Sequence, residues 1–281
     1  LGRRDFTVNA MAVDVVDGQL HDPFDGRADL AAGILRTPLS PEESFGDDPL
    51  RMLRAARFHA GYDLTPADGL IEAARTLADR IGIVSGERVR GELFRLLEVA
   101  DPTGGFAFLE AVDLGWRVLP ELAGLDGDAR STALVRVAAT TPDPVLRLAV
   151  IAWSTAGLAE STVALRLSGA DAVRITGLVD GADRIRMGGA AGGPWSDESV
   201  RRLVASSGPI LDQVVDFAGS VGILVGDLPV ALGRLRGAGE LDDLGPALGG
   251  DEVMALLGLK AGPEVGEALA WLAELDRKSV V

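Results

Sequence analysis

Apolar residues recur at helical spacing along most of this chain, and the clearest stretch begins at Asp48 and Pro49. Its apolar positions, which would form one stripe on a helix, are Leu50, Leu53, Ala56 and Ala60. A capping aspartate followed by proline at the first helical position is a helix-start signal. The pattern therefore predicts a helix from Asp48 onwards, with one apolar face for packing and one polar face.

The same periodicity predicts helices in most of the remaining sequence. Two follow the Asp48 segment directly, over 66–81 and 86–99, and the second is capped by Ser85. Further helices are predicted over 106–119, 129–140, 144–156, 161–167, 170–187, 197–206, 209–221, 229–237 and 264–276. The glycine-rich run 188–194 is the clearest predicted linker. The chain is therefore expected to be mainly α.

Strand signals are confined to the start of the sequence. Apolar and polar residues alternate over 5–16, as in a half-buried strand. Asp17-Gly18 is a hairpin turn signal, and 19–22 begins the predicted return strand. The stretch 30–35 is expected to be a short apolar connection. We therefore predict a small β-hairpin that precedes the helices.

Composition favours an ordinary globular protein. A length of 281 residues is enough for about two domains, and 47% of the residues are hydrophobic. The absence of cysteine excludes disulfides and thiolate metal sites and fits a cytoplasmic protein. Since no apolar run reaches the roughly 18–20 residues that a membrane span needs, we predict no membrane partner.

The net charge of −15 argues against binding of RNA by overall electrostatic attraction. All basic residues other than Lys260 and Lys278 are arginine, which suits bidentate contacts with phosphates and bases. A compositional bias towards arginine explains the same observation. An RNA partner would therefore need a local basic groove, which the sequence does not reveal.

The polar face of the predicted Asp48 helix carries a candidate binding chemistry. At helical spacing, one side combines the residues Asp47, Asp48, Arg51 and Arg54. A carboxylate only accepts hydrogen bonds and a guanidinium only donates them, so together they match the mixed edge of a nucleobase. Adenine and cytosine both present an amino group beside an acceptor. The alternative is a solvated row of ion pairs on a helix surface.

Four motifs stand in order along the first hundred residues. They are R-R-D-F-T-V-N-A (3–10), D-P-F-D-G-R-A-D-L (22–30), D-D-P-L-R-M-L-R-A-A-R-F (47–58) and E-R-V-R-G-E-L (87–93). In this order and spacing they resemble the class II tRNA nucleotidyltransferase and poly(A) polymerase family. The resemblance is weaker through 115–122 and 257–266.

The resemblance implies a particular domain organisation. Residues 1–36 would be the end of a nucleotidyltransferase head, made of the β-hairpin and a hinge. Residues 37–100 would form a neck with the nucleotide-recognition helices. Residues 101–187 would form a helical body, and 188–281 an RNA-binding helical tail.

Catalytic metal ligands are expected to be missing from this sequence. In the resembled family, a glycine-serine turn and an Asp-x-Asp pair that binds Mg²⁺ precede the first of these motifs. The only Asp-x-Asp here is Asp126 to Asp128, which lies far downstream in a turn-like stretch. Because the chain starts with Leu1 directly before a strand-like motif, we expect a fragment. Its Mg²⁺ would be bound by residues absent from the chain, and neither catalytic nor metal-binding residues are assigned.

The resemblance also assigns roles to individual residues. The implied nucleotide-binding set is Arg4, Asp48, Arg51, Arg54 and Arg57. Asp48 and Arg51 would read the Watson–Crick edge of CTP or ATP, while Arg4 and Arg54 would hold ribose or phosphates. Arg57 is included by motif match alone. The supporting residues are Asp5, Asn9, Asp47 and Arg88, of which Asp47 would brace Arg51.

The implied function is selection of nucleotides and binding of tRNA within an enzyme that adds C and/or A from CTP and ATP to the tRNA 3′ end. The chain alone is expected to be inactive. Two alternatives remain open at this point. One is a fragment of a poly(A) polymerase, which shares all four motifs, and the other is a non-catalytic RNA-binding helical protein.

Overall fold

The computed structural model describes residues 1–189, 194–241 and 250–279. Its contacts divide the chain into two compact units, which meet in sequence between Ile175 and Thr176. Helices dominate both units, and the strands are short, so the predicted mainly α fold class is confirmed. Within the described residues, no helix is both long and apolar enough to cross a bilayer.

The first unit begins with the predicted hairpin. Strands β1 (Ala12–Val13) and β2 (Leu20–His21) pair antiparallel, and Gly18 turns between them with φ +71°. The longer strand predicted over 5–16 is wrong, because Thr7–Asn9 forms a 3₁₀ helix. Phe6 and Ala10, which flank that 3₁₀ helix, are both buried. The alternation of apolar and polar residues here therefore reflects a helical turn and not a pleated strand.

A second small sheet replaces the predicted apolar connection. Helix α1 (Gly26–Ala32) is followed at once by β3 (Ile34–Leu35), which pairs in parallel with β4 (Thr65–Pro66). Parallel strands need a long crossover, and the helices between Leu35 and Thr65 supply it. The prediction of a simple connection over 30–35 was therefore wrong.

The segment around Asp48 contains two helices instead of one. Helix α2 (Pro41–Asp47) starts with a capping box in which Ser40 and Glu43 bond each other's backbone N–H groups. Helix α3 (Leu50–Tyr62) follows after a break at Asp48, whose backbone is extended (φ −143°, ψ 99°). A residue before proline avoids the helical region for steric reasons, which explains the break. The S-x-x-E sequence at Ser40 is the signal that predicts α2.

Seven more α-helices lie entirely within the first unit. They are α4 (Leu70–Leu77), α5 (Gly86–Leu97), α6 (Thr103–Ala111), α7 (Gly115–Val118), α8 (Gly127–Ala139), α9 (Pro144–Thr155) and α10 (Ala159–Ala164), before α11 (Gly169–Gly189) leads into the second unit. The single helix predicted over 106–119 is broken at Asp113, whose φ is +57°. The helix predicted over 66–81 ends at Leu77 and continues as a 3₁₀ helix, Ala78–Ile83. Ser85 precedes α5 without the predicted side-chain capping bond.

The core of the first unit surrounds α3, which packs against α5 and α6. Its residues Leu53 and Ala56 are fully buried, as the apolar stripe predicts. Gly105 lets α6 approach closely, because a Cβ there would lie 2.9 Å from the carbonyl oxygen of Ala56 and 2.5 Å from Leu96. The polar start of α3 is thereby held on a rigid base.

A buried arginine joins the ends of two other helices in this unit. Arg147 of α9 is only 1% exposed and donates to the carbonyl oxygens of Leu97 (2.6 Å), Ala100 (2.9 Å) and Thr140 (2.9 Å). These carbonyls lie at or just beyond the C-terminal ends of α5 and α8, where helix ends leave acceptors unsatisfied. Burial lowers the pKa of Arg147, and the charge of Asp101 partly offsets that effect.

The second unit is a set of helices. After α11 come α12 (Asp197–Ser207), α13 (Leu211–Ser220), α14 (Leu228–Gly237), α15 (Gly250–Leu257) and α16 (Pro263–Ser279). Val214, Phe217 and Leu235 are among its buried residues. Of the predicted linker 188–194, positions 190–193 lie outside the described residues.

Candidate functional site

The break between α2 and α3 exposes an acidic side chain. Asp48 is 30% exposed, and its two carboxylate oxygens have different partners. Oδ1 accepts from the backbone N–H of Leu50 (3.2 Å), and Oδ2 accepts from Nη2 of Arg88 in α5 (2.8 Å). A carboxylate oxygen accepts more than one hydrogen bond, so Asp48 keeps acceptor capacity towards solvent.

Arg51 lies in the first turn of α3, and part of its guanidinium is held by hydrogen bonds to the protein. Its Nη1 donates to the carbonyl oxygen (3.2 Å) and hydroxyl oxygen (3.0 Å) of Ser44, and its Nη2 donates to the carbonyl oxygen of Arg3. A guanidinium carries five N–H groups, so the Nε–H and one Nη2–H remain for a ligand. Arg51 is therefore fixed in place but retains donors.

Residues of the first motif lie against this part of α3. Arg4 is exposed, and its Nε donates to the carbonyl oxygen of Asn9 (3.1 Å). Asp5 is only 7% exposed and accepts from Nε of Arg54 (2.8 Å), the backbone N–H of Phe6 (2.9 Å) and the side-chain amide of Asn9 (3.3 Å). The predicted supporting residues Asp5 and Asn9 thus form one hydrogen-bonded group.

The ion pair between Asp5 and Arg54 remains charged despite its partial burial. Burial alone would raise the pKa of Asp5, but the hydrogen bonds and charge of Arg54, with the bonds from Phe6 and Asn9, lower it below its usual value. For Arg54, burial works against the charged form, whereas Asp5 and Glu92 raise its pKa overall. Both groups are therefore ionised at neutral pH.

Glu92 of α5 gathers three arginines and was not singled out from the sequence. It is 3% exposed and accepts from Arg54 Nη1 (3.0 Å), Arg57 Nε (2.9 Å) and Arg95 Nη1 (2.6 Å). A buried carboxylate needs such partners, because an isolated charge in the interior is unfavourable. The signal in the sequence was the E-R-V-R-G-E-L motif, whose last acidic residue is Glu92.

The predicted site residues form two neighbouring groups. Asp48, Arg51 and Arg88 form the first, together with Ser44. Arg54 and Arg57 form the second, in which carboxylates already bind their guanidinium groups. Arg57 also lies over the ring of Phe58, 4.7 Å from its centre.

Asp47 does not lie where a continuous helix would place it. It ends α2, is exposed, and makes no hydrogen bond to Arg51 within the described part of the chain. Ser44, one turn earlier in α2, makes the contacts expected of Asp47. The predicted shared face was drawn for one helix, whereas the break at Asp48 separates the two acidic residues.

Two family models match the chain. One is the "Poly A polymerase head domain", which matches residues 1–36. The other is the "Probable RNA and SrmB- binding site of polymerase A", which matches residues 63–125. The recognised motifs of residues 1–100 lie partly within these two regions.

The matched relatives differ in how much of this chain they cover. The "Multifunctional CCA protein" of Laribacter hongkongensis is 43% identical over 129 residues, which are 45% of this chain and 31% of that protein. The chain thus matches about a third of the length of such relatives. The "A-adding tRNA nucleotidyltransferase" of Deinococcus radiodurans is 30% identical, with 98% of this chain and 74% of the relative covered.

Solved structures agree with the sequence relatives. The Bacillus stearothermophilus CCA-adding enzyme in complex with CTP has a TM-score of 0.69 and 25% identity, over 97% of this chain and 67% of that one. The Thermotoga maritima CCA-adding enzyme complexed with tRNA has a TM-score of 0.59, covering 100% and 69%, and at 19% identity shows the fold alone. Because the likeness to the Deinococcus enzyme extends over nearly the whole sequence, the chain belongs to the tRNA nucleotidyltransferase and poly(A) polymerase family.

Proposed function

We propose that this chain is the nucleotide-selecting and tRNA-binding part of a tRNA nucleotidyltransferase, which adds C and/or A from CTP and ATP to the tRNA 3′ end. The observation that carries the proposal is that Asp48 and Arg51 lie within one turn of each other at the start of α3, where the backbone N–H of Arg51 donates to the carbonyl oxygen of Asp48 (3.0 Å). Each is held on one side by the protein and keeps hydrogen-bonding capacity on the other.

Base selection follows from the chemistry of these two side chains. The carboxylate of Asp48 accepts an amino proton of cytosine or adenine, and the guanidinium of Arg51 donates to the neighbouring ring nitrogen or carbonyl oxygen. Uracil and guanine do not present an amino group and an acceptor in that order. A mismatched base would leave a polar group unpaired, which costs affinity. Protein side chains would thus take the place of a template base in selecting the incoming nucleotide.

Other predicted residues would position the rest of the nucleotide. Arg4 is exposed beside the site and suits phosphate contacts by charge. Arg54 and Arg57 are held by Asp5 and Glu92, and would reach ribose or phosphate only with N–H groups that these carboxylates leave free. Asp5, Asn9 and Glu92 would then act as supports.

Magnesium would be bound by another part of the enzyme. Among the residues that the structure describes, no three His, Asp or Glu side chains converge on a possible metal site. Asp126 of the Asp-x-Asp sequence caps α8 instead, accepting from the backbone N–H of Ala129 (2.8 Å). The residues present therefore do not fit the metal, and we derive no step through it.

We further propose that tRNA binds through local arginine contacts, along 63–125 and the helical tail from residue 188 onwards. The RNA-binding family model over 63–125 supports the first region. Because the net charge is −15, overall electrostatic attraction would not contribute, and the salt dependence of tRNA affinity would report the number of local arginine–phosphate contacts.

The proposal is tested in the complete enzyme by Arg51→Ala. Without this guanidinium, the preference for CTP and ATP over UTP should fall by about ten-fold or more, since a hydrogen bond to a charged group contributes ~1.5–3 kcal/mol. Arg130→Ala is a matched control, because Arg130 is also half-buried and bonds a backbone carbonyl, that of Leu125 (2.9 Å), outside the site and outside the proposed tRNA-binding regions. Unchanged addition of C and A by the Arg51 variant would reject the assigned role.

A poly(A) polymerase is the second candidate, because both family models carry that polymerase in their description. Supplying CTP and ATP separately, with tRNA that lacks its 3′ end, separates the two. Incorporation of C, or addition of a single A after C-C, supports the tRNA enzyme. Long runs of A on unrelated RNA support the polymerase.

A further inference from the structure

Ser44 occupies an unusual position relative to the two proposed base-reading residues. It lies in α2, one turn before the break, and is almost fully buried. Its carbonyl oxygen accepts from the backbone N–H of Asp48 (3.2 Å) and from Nη1 of Arg51 (3.2 Å). Its hydroxyl oxygen accepts a second bond from the same nitrogen (3.0 Å). One residue therefore holds both partners of the proposed site.

These contacts compensate for the break between the helices. Pro49 has no N–H, so the backbone ladder cannot run from α2 into α3. The Arg51 guanidinium spans the gap and bonds Ser44, whose side chain is buried in α2 next to the buried Phe45. A long side chain that would otherwise sample several rotamers is thereby restricted to one direction.

The chemistry of this support is also significant. Among the described residues, Arg51 forms no ion pair, although most arginines near it do. A neutral hydroxyl and two carbonyl oxygens orient the guanidinium without cancelling its charge. The remaining N–H groups are therefore stronger donors to a base than they would be beside a carboxylate.

We propose that Ser44 is a positioning residue for nucleotide selection, acting through Arg51. This inference rests on the proposed function. Removing the hydroxyl takes away one of the bonds that fix Arg51 but leaves its charge and the carbonyl contact. Discrimination should therefore weaken, whereas the fold should persist.

The test compares Ser44→Ala with Ser40→Ala in the complete enzyme. Both remove a serine hydroxyl, Ser44 from within α2 and Ser40 from the N-cap that precedes it, but Ser40 does not contact Arg51. Steady-state kinetics with CTP, ATP and UTP give the ratio of kcat/KM values for each variant, and thermal unfolding gives their Tm. We expect Ser44→Ala to reduce the preference for CTP over UTP by about five- to ten-fold, mainly through KM for CTP. Ser40→Ala should lower Tm and leave the ratio unchanged.

A double variant tests whether Ser44 affects nucleotide discrimination through Arg51. If Ser44 acts through Arg51, then Ser44→Ala adds no further loss of discrimination in an Arg51→Ala background. A Ser44→Ala ratio within about two-fold of the unmodified enzyme, or one no lower than that of Ser40→Ala, overturns the inference. If Arg51→Ala loses discrimination and Ser44→Ala does not, only the inference falls. If the unmodified enzyme adds neither C nor A, the proposed function falls and the inference with it.

Discussion

Arg54 of α3 binds the carboxylate of Asp5 near the start of the chain, with its Nε 2.8 Å from Oδ2. The same guanidinium reaches Glu92 of α5 through Nη1, at 3.0 Å. One side chain thus joins the first motif, α3 and α5. Stability of this region and geometry of the proposed site are consequently linked.

Replacing Asp5 by Asn should destabilise the fold. The change removes the charge that Arg54 faces in a mostly buried setting, and we expect a loss of about 2 kcal/mol in the free energy of unfolding. Urea unfolding followed by circular dichroism measures it. Asp47→Asn is the control, because Asp47 is exposed and its carboxylate makes no hydrogen bond in the described structure. Equal effects of the two changes would contradict the structural role of Asp5.

The contribution of Asp5 to the free energy of unfolding should fall as the solution becomes acidic. Its pKa in the folded state lies below the usual 3.8, so the unfolded chain takes up the proton first as the solution becomes acidic. The stabilisation is therefore fully present above the unfolded pKa and is lost as pH falls through the folded pKa. The difference in unfolding free energy between the unmodified chain and Asp5→Asn should be constant above about pH 5 and shrink below about pH 4. A difference that stays constant through this acid range would exclude the pair as its source.

Glu92→Gln should release the arginines that this carboxylate gathers. Neutralising a buried acceptor of three guanidinium groups leaves Arg54 and Arg57 less restrained, and we expect a loss of about 3 kcal/mol of stability. Nucleotide binding by the complete enzyme should weaken in parallel. Glu98→Gln at the end of the same helix provides the comparison, since Glu98 is exposed. Should both variants unfold at the same denaturant concentration, Glu92 is not the support we infer.

Arg88→Ala should affect selection more than stability. Arg88 is exposed and pairs with Asp48, and such surface pairs contribute up to ~1 kcal/mol. Without it, the Asp48 carboxylate is less restrained, so the preference for CTP over UTP should fall by up to about five-fold. Kinetics of the complete enzyme measure that ratio. Arg166→Ala removes another exposed arginine that pairs with a carboxylate of α5, that of Glu87, but does not contact Asp48, and its ratio should be unchanged.

Several features were predictable because they depend on neighbours in sequence. The helical spacing of Leu53 and Ala56 predicts the buried face of α3, and Asp17-Gly18 predicts the turn between β1 and β2. Caps and periodicity act within one or two turns, so they can be recognised in the sequence itself. The order of four motifs likewise indicated the family before any contact was known.

Local sequence patterns gave wrong predictions where one pattern is compatible with two kinds of local structure. Alternation over 5–16 predicted a strand, yet Thr7–Asn9 forms a 3₁₀ helix whose backbone bonds Arg36 far along the chain. The Asp48-Pro49 signal was correct for a helix start, but it also ends α2. One start signal does not tell whether another helix precedes it.

The candidate site likewise has some features that the sequence predicts and others that only the tertiary structure shows. The sequence alone determined which side chains carry opposite charge and hydrogen-bonding capacity at the start of α3, namely Asp48 and Arg51. Only tertiary structure decided that Glu92 holds Arg54 and Arg57, and that the carbonyl of Arg3 holds Arg51. These contacts join residues dozens of positions apart, and their geometry depends on how α3 packs against α5. Periodicity carries no information about such pairings, because it records which face of a helix is buried and not what that face meets.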